Sequence, residues 1–305
     1  MTNPLTPTPD SVQAVSLRQF YLAVAVLLLA FSLPLFELLR FSLHSQLYSH
    51  IILIPLISLY LVRQQCSALP GQSTSDRPSA IIFFSGGLAA LATYLMVRLG
   101  ASSMAPIDVI ALSVLSFLFF LAGLSAWLLG RPLLRALAFP LAFLLFMVPF
   151  PTFLETAIET FLQYGSAAVA HALFKITGTT VFAEGLCFQL PGITIQVAPE
   201  CSGIHSSLAL LITSVVAGRF ILRSQGRRLT LALAVIPLAL LRNGFRVFVI
   251  GELCVHVSPD MIDSFIHHHG GPIFFTLSLI PFFLLLFLLV RSERKSVSQS
   301  TPAKP

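Results

Sequence analysis

The sequence predicts an all-α polytopic membrane protein of about eight transmembrane helices, and three observations predict it. Of 305 residues, 56% are hydrophobic and only 10% are charged, against roughly a quarter charged in a soluble domain. The mean hydropathy is +0.90, and the apolar residues fall in runs close to the roughly 20 residues that cross a bilayer as a helix. The basic residues between these runs fall mostly on one side of the chain's predicted path. An ordinary soluble enzyme is excluded, and so is a disordered chain, because long apolar runs separate the few charges.

In chain order, residues 1–17 form a polar tail rich in Pro and Thr, with no small-residue cleavage site after it. The first apolar run therefore reads as a retained span and the tail as cytoplasmic. Eight candidate spans follow, at 18–39, 47–62, 79–97, 108–129, 132–148, 201–217, 229–250 and 271–290. With the N-terminus inside, 13 of the 18 Lys and Arg fall in cytoplasmic segments. Of the other five, Arg40, Arg98 and Lys175 lie in outward segments, and Arg242 and Arg246 lie within a span. This is a positive-inside pattern, with both termini cytoplasmic. Residues 18–290 read as one transmembrane catalytic domain, and 291–305 as a cytoplasmic basic tail.

The segment 149–200 faces outward on this topology and has one Lys and no Arg. Pro149-Phe150-Pro151 ends the helix before it. Residues 153–176 read as an interfacial or re-entrant helix, with Glu155 and Glu159 one turn apart. Residues 180–197 alternate and are β-branched around Leu190-Pro191-Gly192-Ile193, which predicts a β-hairpin. A loop with its own secondary structure is more often functional than connecting.

The net charge of +6 does not indicate nucleic acid, because no basic patch is interleaved with aromatic residues. Cys66, Cys187, Cys201 and Cys254 have neither CxxC nor paired-His spacing, so no metal site, cofactor or dense disulfide framework is expected. Cys187 and Cys254 both fall on the outer side, which leaves a disulfide between them open.

Three polar clusters lie at one depth, near the outer interface. The first, Val197-Ala198-Pro199-Glu200-Cys201-Ser202-Gly203-Ile204-His205-Ser206-Ser207, opens the sixth span, with Cys201 expected in its first helical turn. A thiol at the positive end of a helix is favoured as thiolate. The second, Arg242-Asn243-Gly244-Phe245-Arg246, places two cations four residues apart on one helix face. That helix starts from the cytoplasmic side, so the cations sit against the positive-inside trend. The third, His267-His268-His269-Gly270-Gly271, precedes the eighth span; adjacent histidines diverge, so a metal site is not favoured. A thiol, a cation and an imidazole at one depth supply a nucleophile, a partner for an oxyanion and a proton carrier. A transporter or channel using the Arg and His cluster as an ion or solute path is the alternative. The nearly uncharged inner half of the spans counts against it. A non-catalytic scaffold would leave Cys201 replaceable.

These clusters resemble the signature elements of the exosortase/archaeosortase membrane transpeptidases. Pro199-Glu200-Cys201-Ser202-Gly203-Ile204 resembles the family's cysteine motif, and Asn243-Gly244-Phe245-Arg246 its Asn-x-x-Arg element. His267, four residues before Gly271, resembles its His-x-x-x-Gly pattern, and Leu47-Tyr48-Ser49-His50 an N-terminal family feature. The resemblance covers about residues 40 to 290 and implies Cys201 as nucleophile, Arg246 as the oxyanion or orienting arginine, and His267 as general acid/base. His205 stands where the family often has Arg. Arg242, Asn243, Glu200, His205, His268 and His269 are supporting candidates. The implied substrates are exported proteins with a C-terminal sorting signal: a Pro-Glu-Pro-like motif, a transmembrane helix and a basic tail. The implied setting is the cytoplasmic (inner) membrane with the site facing outward, with membrane lipid around it, no nucleic acid and no cofactor.

A reporter inserted into 149–200 is expected to be accessible only from outside intact cells. Labelling of that reporter from the cytoplasm alone overturns the topology.

Overall fold

The computed structural model describes residues 9–66, 75–100, 103–199, 202–263 and 270–300. The chain forms two compact units, Met1–Thr152 and Phe153–Pro305.

In the first unit, α1 (Pro9–Ala30) and α2 (Ser32–His44) meet at a 67° bend. Pro34 lies in the first turn of α2; it has no N–H for the Ala30 carbonyl and its ring crowds that carbonyl, so the helix breaks there. The run predicted at 18–39 is one broken helix pair. A 3-10 turn, Ser49–Ile52, leads into α3 (Leu53–Cys66), which has only 14 residues. Asp76 caps α4 (Arg77–Arg98), accepting from the Ser79 hydroxyl at 2.9 Å. The face of α4 at Gly86 and Gly87 lies against Phe119 and Phe120 of α5 (Pro106–Leu124), and the Ser116 hydroxyl donates to the Gly87 carbonyl at 2.8 Å.

After α5 come a π turn (Ser125–Leu129), α6 (Gly130–Phe143) and a 3-10 turn (Leu144–Met147). Gly130 sits at φ +73° and ψ 175°, a conformation that residues with a Cβ rarely adopt. The helical run breaks there, and the turn Leu144–Met147 packs back against α5. The stretch Pro106–Met147 therefore makes two passes, as the separate runs at 108–129 and 132–148 predict.

The second unit is built around α7 (Thr152–Thr177). The segment after it forms three antiparallel strands rather than the single hairpin expected: β1 (Phe182–Glu184), β2 (Cys187–Leu190) and β3 (Ile193–Gln196). The turn at Pro191-Gly192 is the one read from sequence. The extra strand forms because a second tight turn at Gly185-Leu186 returns Phe182 to face Gln189. Then come α8 (Ile204–Ile221), α9 (Gln225–Leu233), α10 (Val235–His256), a 3-10 turn (Pro259–Asp263) and α11 (Gly271–Ser300). The break between α9 and α10 has the same cause as that at Pro34: Pro237 lies in the first turn of α10.

One core joins α7, the sheet and α10. Ala167, Ala170 and Phe174 face Phe188, Leu190 and Ile195 of the sheet and Val247, Ile250 and Cys254 of α10. Phe174 and Phe188 are fully buried with ring centroids 5.8 Å apart, and each contributes about 2–3 kcal/mol where water is the alternative environment. The helices cross closely, since a Cβ on Gly244 would lie 2.5 Å from the Val169 Cβ and 2.8 Å from the Ser166 carbonyl oxygen. Cys187 and Cys254 are both free thiols. At the other end of the unit, the buried Glu293 carboxylate accepts from the N–H groups of Arg223 (3.1 Å) and Ser224 (2.8 Å) and pairs with Arg227 (3.2 Å). It fills the positive N-terminus of α9 with a negative charge.

Among the described residues, five helical runs are long and apolar enough to cross a membrane, six with the bent α1/α2 pair. The eight predicted runs are recovered when Pro106–Met147 is divided at Gly130 and the short α3 is added. The apolar residues face outward: the most apolar window of α4 is only 17% buried, with Ile81, Ile82, Leu88 and Met96 exposed. A surface of that kind is matched to lipid rather than water. The chain is an integral membrane protein.

Gly244→Val is expected to lower the melting temperature of the detergent-solubilised protein. Overpacking of this kind costs about 1–3 kcal/mol, and here the Cβ meets both a side chain and a backbone oxygen. An unchanged melting temperature contradicts the close crossing of α7 and α10.

Candidate active site

The sixth predicted span begins three residues later than expected: α8 starts at Ile204. The cause is Gly203, at φ +74° and ψ 17°. This left-handed conformation costs other residues about 1–2 kcal/mol, and it turns the chain before helical bonding begins. The carbonyl of Gly203 then gathers four donors. They are the Ser207 N–H at 3.0 Å, the hydroxyls of Ser206 at 3.1 Å and Ser207 at 2.7 Å, and Arg242 Nη2 at 3.0 Å. Ser202, also buried, accepts from the Ile204 N–H at 3.4 Å.

Arg242 comes from the middle of α10, and 8% of its surface is exposed. Besides the Gly203 carbonyl, its Nη2 donates to the Ser207 hydroxyl at 3.3 Å, and that hydroxyl donates in turn to the same carbonyl. No carboxylate pairs with Arg242 among the described residues, and its buried Nη1 meets no acceptor among them. Charge-assisted hydrogen bonds contribute about 1.5–3 kcal/mol each. An arginine within a span costs about 2.5–3.5 kcal/mol on insertion scales. Two bonds from Nη2 are therefore of the size needed to hold this cation in place.

Asn243, adjacent on α10, is 2% exposed and donates from Nδ2 to the Ser166 hydroxyl of α7 at 3.1 Å. Its Oδ1 lies 3.2 Å from where a Cβ on Gly203 would stand, and Arg242 Nη2 only 2.8 Å from that point. Gly203 is therefore required twice, for its backbone conformation and for the room its missing side chain leaves. One turn earlier on α7, Gln163 is buried and its Nε2 donates to the Val197 carbonyl at 3.2 Å. The Ser202 N–H donates to the Pro199 carbonyl at 2.9 Å. The cysteine motif is thus gripped before it by α7 and after it by α10.

Cys201, Glu200 and His267, His268 and His269 lie outside the described residues. Arg246 is half-buried, one turn beyond Arg242 on α10, and His205 is exposed on the first turn of α8. The structure brings the first two polar clusters together through Arg242, the arginine that sequence reading treats as support.

A family model described as transmembrane exosortase matches residues 42–284. The chain belongs to that family. The match takes in the Leu47-Tyr48-Ser49-His50 segment, the whole of α7, the sheet, and all three polar clusters. The exosortase family consists of cysteine transpeptidases that process sorting signals. No curated protein and no solved structure matches the chain.

Two residues of the site escape sequence reading: Gln163 and Ser166. The signal available for both is a polar residue on the buried, small-residue face of a helix, at Gln163-Tyr164-Gly165-Ser166-Ala167.

Arg242→Lys is expected to slow substrate processing on the order of tenfold to a hundredfold, since an ammonium on a stem one atom shorter replaces the Nη2 that bonds both Gly203 and Ser207. Gly203→Ala is expected to do at least as much, with membrane insertion unchanged. Wild-type rates in a co-expression assay for either variant contradict the arrangement.

Proposed function

We propose that the protein is a membrane-embedded cysteine peptidase or transpeptidase that cleaves the C-terminal sorting signal of exported proteins at the outer face of the cytoplasmic membrane. The observation that carries this reading is the family match across all three polar clusters, together with a buried arginine fixed to the backbone two residues after Cys201. The substrate's basic tail stays in the cytoplasm, its helix lies in the bilayer among those of the enzyme, and its Pro-Glu-Pro-like segment emerges beside Cys201. Residues 18–290 form the catalytic domain, with 1–17 and 291–305 as cytoplasmic tails.

The Cys201 thiolate attacks the scissile carbonyl carbon, forming a C–S bond and a tetrahedral oxyanion. Arg246 donates to that oxygen. Collapse of the intermediate breaks the C–N bond, and His267 supplies the proton that the departing amine takes, with His268 and His269 beside it. The helix and basic tail leave as one fragment, and the rest of the substrate remains on Cys201 as a thioester. An incoming amine, hydroxyl or water attacks that thioester, gives its proton to His267 and releases the thiolate. Arg242 positions rather than reacts: it holds the Gly203 turn and Ser207. Asn243 and Gln163 fix α10 and the Val197 strand end on α7, and Glu200 and His205 flank the nucleophile in sequence. The groups named are all the chain's own, so no metal or cofactor takes part in this scheme.

Cys201→Ala and Arg246→Ala are each expected to abolish processing of a co-expressed substrate while the protein still inserts, as a western blot of substrate size and membrane fraction reads directly. Normal processing by Cys201→Ala sinks the mechanism. Normal processing by Arg246→Ala together with loss in Arg242→Ala moves the oxyanion role to Arg242.

A further inference from the structure

The first unit carries a second polar site. The C-terminal ends of α2 and α4 and the start of α5 enclose a cavity of about 620 Å³ whose polar lining is Arg40, His44, Arg98 and Glu37. Phe41 and Val109 are among its apolar lining. Arg98 is already engaged: its Nη2 meets both oxygens of Glu37, and its guanidinium lies 5.5 Å from the centre of the Tyr94 ring. Arg40 differs, because its side chain is exposed and makes no hydrogen bond or ion pair among the described residues. His44 accompanies it, with Nδ1 2.8 Å from the Arg40 carbonyl. A carbonyl only accepts, so Nδ1 carries the hydrogen, and Nε2 donates to an anion in the imidazolium form of the ring.

Two features indicate what the cavity takes. The count of basic residues puts this end of the unit outside, where Arg40 and Arg98 are two of only three Lys or Arg that the sequence assigns to outward segments. Basic residues on that side do nothing to orient the chain, yet both of these line one cavity. The neighbouring surface is also strongly apolar: Phe36, Leu39 and Leu43 on the adjacent face of α2, and Leu99 at the end of α4, are all exposed. A cationic recess bordered by lipid-facing side chains, at the level where span gives way to loop, matches a molecule with an anionic head and apolar chains. We propose that Arg40, His44 and Arg98 form a site for the phosphate headgroup of an anionic glycerophospholipid. Arg40 takes the phosphate directly, His44 Nε2 and the outer edge of Arg98 border it, and the acyl chains run along Phe36, Leu39 and Leu43. The proposal does not depend on the peptidase reading.

The test is native mass spectrometry of the full-length protein from mixed micelles holding equal phosphatidylglycerol and phosphatidylcholine. Wild type is expected to retain phosphatidylglycerol about five-fold over phosphatidylcholine, the size of effect for one basic residue meeting an anionic headgroup. The double variant Arg40→Gln/His44→Gln is expected to lose that preference, and Arg40→Lys to keep most of it. Both replaced side chains are exposed, so an unchanged melting temperature separates loss of the site from loss of the fold. Arg135→Gln, a basic residue of the opposite end, is expected to leave the preference intact. Equal retention of the two lipids by wild type overturns the proposal, and so does an unchanged preference in the double variant. An equal fall in Arg135→Gln overturns it too, since net charge alone then explains the effect. Stripping of the adduct by millimolar inorganic phosphate would mark the recess as a site for soluble phosphate, and also overturns the lipid assignment.

Discussion

The contact on which the second unit depends is a guanidinium bonded to a carbonyl. Arg242 is a buried cation on a membrane-spanning helix, and among the described residues its partners are neutral: the Gly203 carbonyl and the Ser207 hydroxyl. A carbonyl that also receives one N–H and two hydroxyls is polarised by each of them. Among the described residues the bond therefore holds the cation without a counter-charge, and it leaves that part of the site electropositive. An electropositive setting is what a cysteine nucleophile requires, because it favours thiolate over thiol. A carboxylate in place of the carbonyl would hold the arginine as firmly and cancel that field.

The rest of the unit keeps two short pieces of backbone in register with that contact. Helix α7 is the jig. Its small-residue face admits α10 at Gly244, its Ser166 fixes Asn243, and one turn earlier its Gln163 fixes the end of β3 at Val197. The three-stranded sheet seals the same core through Phe188 and Ile195, so the strand leading into the cysteine motif enters from a rigid element. Glu293 ties α11 to the α8–α9 connection at the far end. The arrangement follows a general expectation for sites that need precision: the working residues sit where packed elements end, with their supports buried behind them.

Much of this was legible in the sequence, for physical reasons that differ from element to element. The spans were legible because lipid demands about 20 apolar residues and tolerates few exceptions. The helix at 153–176 and the turn at Pro191-Gly192 were legible because helix formers and Pro-Gly act locally. Phe182–Glu184 fell within the predicted hairpin segment, but its separation from Cys187–Leu190 was not legible, since it depends on a tight turn at Gly185-Leu186 that only the folded chain displays. The start of α8 was misplaced because Pro-Glu-Cys-Ser looks like a helix opening, while the left-handed Gly203 is selected by a contact from Arg242, 39 residues away. For the same reason Arg242 read as a helper: nothing local distinguishes it from a snorkelling arginine. The supports Gln163 and Ser166 were invisible because their partners come from other elements.

The chemistry assigned to Cys201 leaves a covalent trace, and that trace is the most direct test of the account. Substrate carrying a slow acceptor step, mixed with purified enzyme and quenched in acid, is digested and the Cys201 peptide is analysed by mass spectrometry. The account predicts a peptide heavier by the N-terminal substrate fragment, joined through a thioester that hydroxylamine releases, and no such adduct in Cys201→Ser. Substrate cleaved at the normal rate with Cys201 unmodified at every quench time, and with cleavage retained in Cys201→Ala, would contradict it.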